Sequence, residues 1–155
     1  MTVSIGVAQI GPSTSPLRIR LRSLDSAGEL GVVELEMTPG SEGPPLHVHP
    51  THSEGFYVLA GLPTFQVGAD LVTGGPGTWV FAPRNAAHAL ANHGSETARL
   101  LCVFAPGGFE RRFERMLAEQ AGLEIAAEIA ELAEAERSTR VVGPPIPRTA
   151  QPNTQ

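Results

Sequence analysis

Four of the five histidines fall between positions 47 and 88, and their spacing suits the coordination of a metal ion. His47 and His49 are two residues apart, so on a β-strand they point to the same face, with their backbones about 6–7 Å apart. Glu54 follows closely and can add a carboxylate oxygen, and His88 lies farther along, where an antiparallel neighbour can bring it to the same point. Such a set binds one divalent transition metal ion, and ligand type alone does not choose among Fe, Ni, Mn, Co, Cu and Zn.

Short β-strands are the elements that must position these side chains. Apolar residues alternate with polar ones over short stretches, and clusters of Gly, Pro, Asn and Asp separate the stretches. We predict strands at residues 18–22, 31–37, 47–49, 54–60, 64–67, 70–72, 78–82, 88–92 and 97–105. Many short strands at regular intervals are typical of an all-β antiparallel sandwich or closed barrel.

The periodicity changes after residue 106. Apolar residues then recur with a spacing near 3.6. One face carries Phe109, Phe113, Met116 and Leu117, and another carries Ile125, Ile129 and Leu132. This spacing predicts two C-terminal α-helices separated at Gly122. The Pro-rich segment from Gly143 predicts an extended and then disordered tail.

Two segments carry a resemblance to a known family, the cupin superfamily. His47-Val48-His49, four residues, Glu54, six residues and Gly61 resemble its first sequence motif. Gly77, five residues, Pro83, then His88, three residues and Asn92 resemble its second motif, fifteen residues after the first. Two glycines of the motifs are replaced, by Ser41 and by Asn85. Because asparagine tolerates positive φ better than most residues, we expect the turn at Asn85 to survive.

The resemblance implies a fold, a set of boundaries and a site. The fold would be a cupin (jelly-roll type) antiparallel β-barrel with C-terminal α-helices. We predict a lead-in at residues 1–16, the barrel at 17–106, the helices at 107–140 and an extended tail at 141–155. The implied ligands of the single metal ion are His47, His49, Glu54 and His88.

Three apolar residues are in register with the implied ligands, and a further histidine lies between them. Phe56, Val58 and Leu90 follow Glu54 or His88 at even spacing, so we expect them to line the same cavity and make it apolar. His52 lies between His49 and Glu54; it could lie at the rim of the site or support the ligands from beside them, but we expect it to be exposed to solvent.

The subgroup of best resemblance is that of small single-domain cupins similar to quercetin 2,3-dioxygenases. It rests on residues 44–49, 54–59 and 106–110 and on Val142-Gly143-Pro144-Pro145. It implies a metal-dependent dioxygenase acting on a flavonol-like or other enolisable aromatic substrate, with Glu54 as a base if burial raises its pKa. Two alternatives stay open: a non-redox cyclase or isomerase in secondary metabolism, and a module that binds a small molecule without turnover.

Composition restricts the partners. A net charge of −5 leaves no excess of positive charge for nucleic acid, and no apolar run reaches the roughly 20 residues of a membrane helix. The sequence contains no lysine, which excludes Schiff-base chemistry, and its one cysteine, Cys102, lies in an apolar run and is expected to be inert. We find no secretory signal in residues 1–10. We therefore expect a cytoplasmic protein with a small-molecule substrate, and a homodimer, because open sheet edges favour pairing.

Overall fold

The computed structural model describes residues 15–149, which form two five-stranded antiparallel sheets. The strands are β1 (Leu17–Leu21), β2 (Gly31–Met37), β3 (His47–Val48), β4 (Ser53–Ala60), β5 (Thr64–Val67), β6 (Asp70–Thr73), β7 (Trp79–Ala82), β8 (His88–Ala91), β9 (Ala98–Ala105) and β10 (Arg140–Val141). The first sheet has the order β1-β2-β9-β4-β7 and the second has the order β10-β3-β8-β5-β6. This arrangement is a jelly-roll β-sandwich, and the prediction of an all-β antiparallel fold with C-terminal helices is confirmed. The predicted lead-in at residues 1–16 lies almost wholly outside the described residues.

The core lies between the two sheets and is built from alternate residues of their strands. In β9, Ala98, Leu100, Cys102 and Phe104 are buried, while the residues between them are more accessible. Side chains of the second sheet, such as Phe65 in β5, join the same cluster. The alternation of apolar residues with period two therefore corresponds to one buried face and one more accessible face of each sheet.

Strand β8 is an exception because all four of its residues are buried. His88 and Leu90 are on one face of the strand, and Ala89 and Ala91 are on the other. The second face is covered by Ile146, which packs against the two alanines and is 2% exposed. The tail around Ile146 is thus attached to the sandwich, and it has no helix or strand after Val141 as far as residue 149.

The turn that precedes β8 keeps its shape despite the missing glycine. Asn85 has φ +65°, which confirms the expectation that asparagine takes the left-handed conformation here. Its backbone N–H donates a hydrogen bond of 3.0 Å to the carbonyl of His49. The turn therefore holds the start of β8 beside the segment that follows β3.

The helical region is shorter than the sequence predicts. Helix α1 (Glu110–Gln120) is followed by two single turns, α2 (Ala127–Ala130) and α3 (Glu134–Arg137). A continuous second helix does not form: Ile129 is buried, but Leu132 of the same predicted face is 52% exposed. None of the helices between residues 15 and 149 has the length and apolar character that a bilayer span requires.

Helix α1 is anchored over the open end of the core by a buried glutamate. The two carboxylate oxygens of Glu110 accept hydrogen bonds from the backbone N–H groups of Ser23, at 2.7 Å, and Gly108, at 2.6 Å. Glu110 packs so tightly over Gly31 that a Cβ at Gly31 would lie 2.1 Å from its Oε2. This anchor fixes Phe109 and Phe113 against the main core cluster.

Candidate metal centre

The four implied ligands converge inside the sandwich. His47 in β3 is paired directly with His88 in β8, and Glu54 comes from β4 of the opposite sheet. His49 follows β3 and completes the group. One potential ligand atom from each residue lies within 4.8 Å of all the others. The group could therefore hold one metal ion. Three imidazole donors and one carboxylate donor suit a transition metal.

Hydrogen bonds on the outer side of two rings fix which nitrogen each ring turns inward. The Nδ1–H of His47 donates to the carbonyl oxygen of Pro45 at 2.7 Å, and the Nδ1–H of His88 donates to that of Ala86 at 2.9 Å. A carbonyl can only accept, so Nδ1 carries the proton in both rings. The neutral rings then present the Nε2 lone pair, as ligating histidines do when a backbone carbonyl holds their other nitrogen.

His49 is held in the same way, but by a side chain from the C-terminal segment. Its Nδ1 lies 2.7 Å from Oγ1 of Thr139, and that hydroxyl donates to the carbonyl of Ala135 at 2.7 Å. Because the hydroxyl proton is used on Ala135, Thr139 must accept a proton from Nδ1 of His49. These two hydrogen bonds fix the ring of His49 with its Nε2 turned inward, as in His47 and His88.

The Nε2 atom of His49 is the clearest sign that the group suits a metal ion. It is buried and has no hydrogen-bond partner among the described residues. It lies 3.0 Å from Oε1 of Glu54, but it is not aligned for a hydrogen bond. Buried polar atoms are seldom left unpaired, and a lone pair directed at a shared point between three other donors fits a cation. The donor set thus fits a transition metal ion, which His47, His49, Glu54 and His88 would hold.

Glu54 is the only acid in this group, and its surroundings favour the charged form. Burial would raise the pKa of Glu54, but the imidazoles of His49, His52 and His88 outweigh burial and hold the pKa well below its usual range. The carboxylate in turn outweighs the burial of His88 and raises the pKa of that ring. The pKa values of His47 and His49 are lowered, chiefly by burial. A raised pKa, the condition on which a base role for Glu54 depended, is therefore not favoured here, because three imidazoles face the carboxylate.

His52 is not exposed, and this corrects the expectation from the sequence. It is 1% exposed, its Nε2 lies 3.2 Å from Oε1 of Glu54, and its ring stacks on that of His49 with centroids 4.3 Å apart. Oγ1 of Thr51 lies 3.2 Å from its Nδ1. The strand break after His49 folds this residue inward, so His52 supports the carboxylate beside the four-residue group.

An apolar cavity of about 370 Å³ opens beside the ligands. His47, Glu54, Phe56 and Leu90 line it, whereas Val58 is fully buried in the core and is not among the lining residues. Val58 lies farther along β4 from Glu54, where it pairs with Leu100. The other lining residues are Leu35, Pro44, Pro45, Cys102, Phe104, Phe109, Arg112, Phe113, Thr139 and Val141.

Sequence reasoning predicted the four candidate ligands that the structure brings together, but it missed two contributors, Thr139 and the aromatic wall of the cavity. The rings of Phe104 and Phe109 have centroids 5.4 Å apart, and those of Phe109 and Phe113 lie 5.9 Å apart. The 3.6 spacing of Phe109 and Phe113 did indicate a buried helical face, but it could not show what that face covers. Thr139 carries no local signal, since its partner is 90 residues away.

Fold and ligand set together define an antiparallel β-sandwich with an internal site that could hold a metal ion. A sequence profile of the family described as Cupin domain matches residues 33–104, which include all four ligands. Residues 33–104 therefore form a cupin domain. No curated protein matches it.

Solved structures show the same fold at low sequence identity. A predicted oxalate decarboxylase from Thermotoga maritima is 20% identical, with a TM-score of 0.54 over 64% of this chain and 90% of that chain. KdgF from Halomonas sp. is 17% identical, with a TM-score of 0.52 over 64% and 86%. A conserved protein with a double-stranded β-helix domain from Klebsiella pneumoniae is 24% identical, with a TM-score of 0.51 over 63% and 84%. At these identities the likeness concerns the fold and not the reaction.

Proposed function

We propose that this protein is a metal-dependent enzyme acting on a small aromatic or enolisable substrate, and specifically a quercetinase-like dioxygenase. The observation that supports this is the placement of four buried donors beside an apolar cavity of about 370 Å³. Small-molecule sites commonly have volumes of about 300–1,000 Å³ and apolar walls with a few polar groups. An aromatic ring system with one oxygen-bearing edge matches both the walls and the donors.

In this proposal the protein contributes position and a dry environment. His47, His49 and His88 hold their Nε2 atoms in place through the hydrogen bonds on their outer nitrogens, so little reorganisation accompanies binding. The aromatic wall excludes water from the substrate. A bound transition metal ion would supply Lewis acidity and, if it is redox-active, a means of bringing substrate and dioxygen together.

Glu54 is the proposed catalytic residue, as a ligand and as a proton acceptor for the substrate. Its lowered pKa makes it a weak base, so the ligand role has the stronger support. Glu54→Gln separates the roles, because it keeps an oxygen donor and removes the base. Normal metal content with lost turnover would support a base, whereas loss of metal would support a ligand.

The first test is to measure metal content and oxygen uptake together. We expect protein purified without added metal to contain about one transition metal ion per chain, and we expect the loaded protein to consume oxygen with a flavonol. His88→Ala should lose both, and His93→Ala, which changes the one histidine outside the site, should keep both. The absence of oxygen uptake from loaded wild type would contradict the dioxygenase proposal. Turnover that persists under nitrogen would assign the site to the non-redox cyclase or isomerase reaction instead.

The homodimer and the cytoplasmic location stay predictions. Trp79 and Phe81 lie on β7, at the edge of the first sheet, and both are 53% exposed. We propose that these aromatic side chains pack against a second copy of the chain. Light scattering coupled to gel filtration should give twice the chain mass for wild type and the chain mass for Trp79→Arg.

A further inference from the structure

The cavity contains one positive charge that does not belong to the ligand group. Arg112 on α1 lines the cavity, whose other lining residues are apolar apart from Thr139, His47 and Glu54. Arg112 is exposed, and it is on the helix that also contributes Phe109 and Phe113 to the wall. Arg112 thus lies where the cavity meets solvent, and the ligand group is inside the sandwich.

No acidic partner neutralises Arg112 among residues 15–149. Its side chain forms no hydrogen bond or ion pair with any described residue, although acids outnumber bases by sixteen to eleven in the sequence. Arg115 is paired with Glu136 and Arg137 with Glu134, whereas Nε of the neighbouring Arg111 also has no partner among the described residues, although Arg111 does not line this cavity. On α1, the positions three and four residues away from Arg112 hold no acid. Five N–H donors are therefore available at the cavity.

We infer that Arg112 binds the carboxylate of a substrate whose apolar body fills the cavity and whose oxygen-bearing end faces the four ligands. This inference rests on the proposed function and narrows its substrate class to an aromatic or enolisable carboxylic acid. Guanidinium and carboxylate match in a bidentate geometry. A single arginine balances one carboxylate, whereas a phosphate ester would bring almost two charges into a cavity with no second base.

A pair of catechol ligands that differ only in charge tests the inference. Dihydrocaffeate carries two adjacent phenolic oxygens at one end and a carboxylate on a flexible two-carbon arm, and its methyl ester lacks the charge. We expect titration calorimetry on zinc-loaded wild type to show the acid binding about tenfold more tightly than the ester, which is the order of one charged hydrogen-bond pair. Zinc is used because it does not oxidise catechols.

Variants of two adjacent arginines give a matched comparison. Arg112→Gln should remove the preference for the acid, Arg112→Lys should keep part of it, and Arg111→Gln should keep all of it. Arg111 is the neighbour on the same helix and lines a different cavity, beside Glu128 and Glu131, so its substitution makes the same change in net charge. Zinc content and circular dichroism check that each variant is folded and loaded.

The outcomes separate this inference from the proposed function. If acid and ester bind wild type equally, or if Arg112→Gln keeps the preference, the role of Arg112 is refuted while the metal site and cavity stand. If neither ligand binds zinc-loaded wild type, the cavity is not the substrate site, and both proposals fail.

Discussion

Replacing Thr139 by valine tests whether the C-terminal segment tunes the metal centre. In the wild type, the hydroxyl of Thr139 lies 2.7 Å from Nδ1 of His49 and donates to the carbonyl of Ala135. Valine has nearly the same shape as threonine, but it can neither accept the proton of Nδ1 nor donate to that carbonyl. The ring of His49 is then free to rotate or to change tautomer, either of which turns a lone pair away from the shared centre. Thr139 ligates nothing in this scheme and acts only through His49.

The expected magnitude follows from that one contact. Loss of a partner that orients a ligating histidine costs about 10–100-fold in metal affinity. This corresponds to about 1.4–2.7 kcal/mol of binding free energy. The free energy of unfolding without metal should also fall, by about 1–3 kcal/mol, because the buried Nδ1 loses its acceptor.

The assay is a competition for zinc between the protein and a chromophoric chelator, at one pH and ionic strength. Thr139→Ser keeps the hydroxyl and is the matched control, and we expect its affinity to lie close to that of wild type. Equal zinc affinity of wild type and Thr139→Val would refute the reasoning. An equal loss in both variants would attribute the effect to packing of the methyl group and not to the hydrogen bond.

Three further predictions concern the scaffold around the site. Asn85→Ala should lower the free energy of unfolding by about 1 kcal/mol, and Asn85→Gly should not lower it, since φ is +65° at that turn; urea unfolding measures both. Burial raises the pKa of the Cys102 thiol, so at pH 8 Ellman's reagent should react slowly with the folded protein and quickly with the protein in guanidinium chloride; fast reaction of the folded protein would contradict this. Ile146→Ala should cost about 2–4 kcal/mol in urea unfolding and expose the tail to trypsin at Arg148, whereas an unchanged digest would show that Ile146 does not hold the tail.

The ligand set was accessible from the sequence because its geometry is largely local. The spacing of His47 and His49 by two residues brings their side chains to the same side of an extended segment, although β3 itself ends at Val48, and the strand bounds need only alternation and turn residues. Placing Glu54 and His88 beside them required the family resemblance, since spacing alone does not pair β3 with β8. The left-handed backbone conformation of Asn85 was also predictable from the sequence, because it depends on the local backbone sterics of asparagine.

The features that sequence reasoning missed depend on contacts between distant segments. His52 looked exposed because nothing local indicates that the break at Pro50-Thr51 turns it inward. The prediction of a continuous second helix was wrong. An amphipathic helix is stabilised by packing its apolar face against the rest of the protein, and of Ile129 and Leu132 only Ile129 is buried. The tail looked disordered by its proline content, but Ile146 has a buried site against β8.

The pairing of β10 with β3 has a consequence for the order in which the protein is made. All four ligands are translated before Thr139 and β10, so a nascent chain can assemble the donors before it possesses the side chain that steadies His49. A metal ion held by these donors would therefore be bound less firmly before the C-terminal segment has paired with β3 and brought Thr139 to His49.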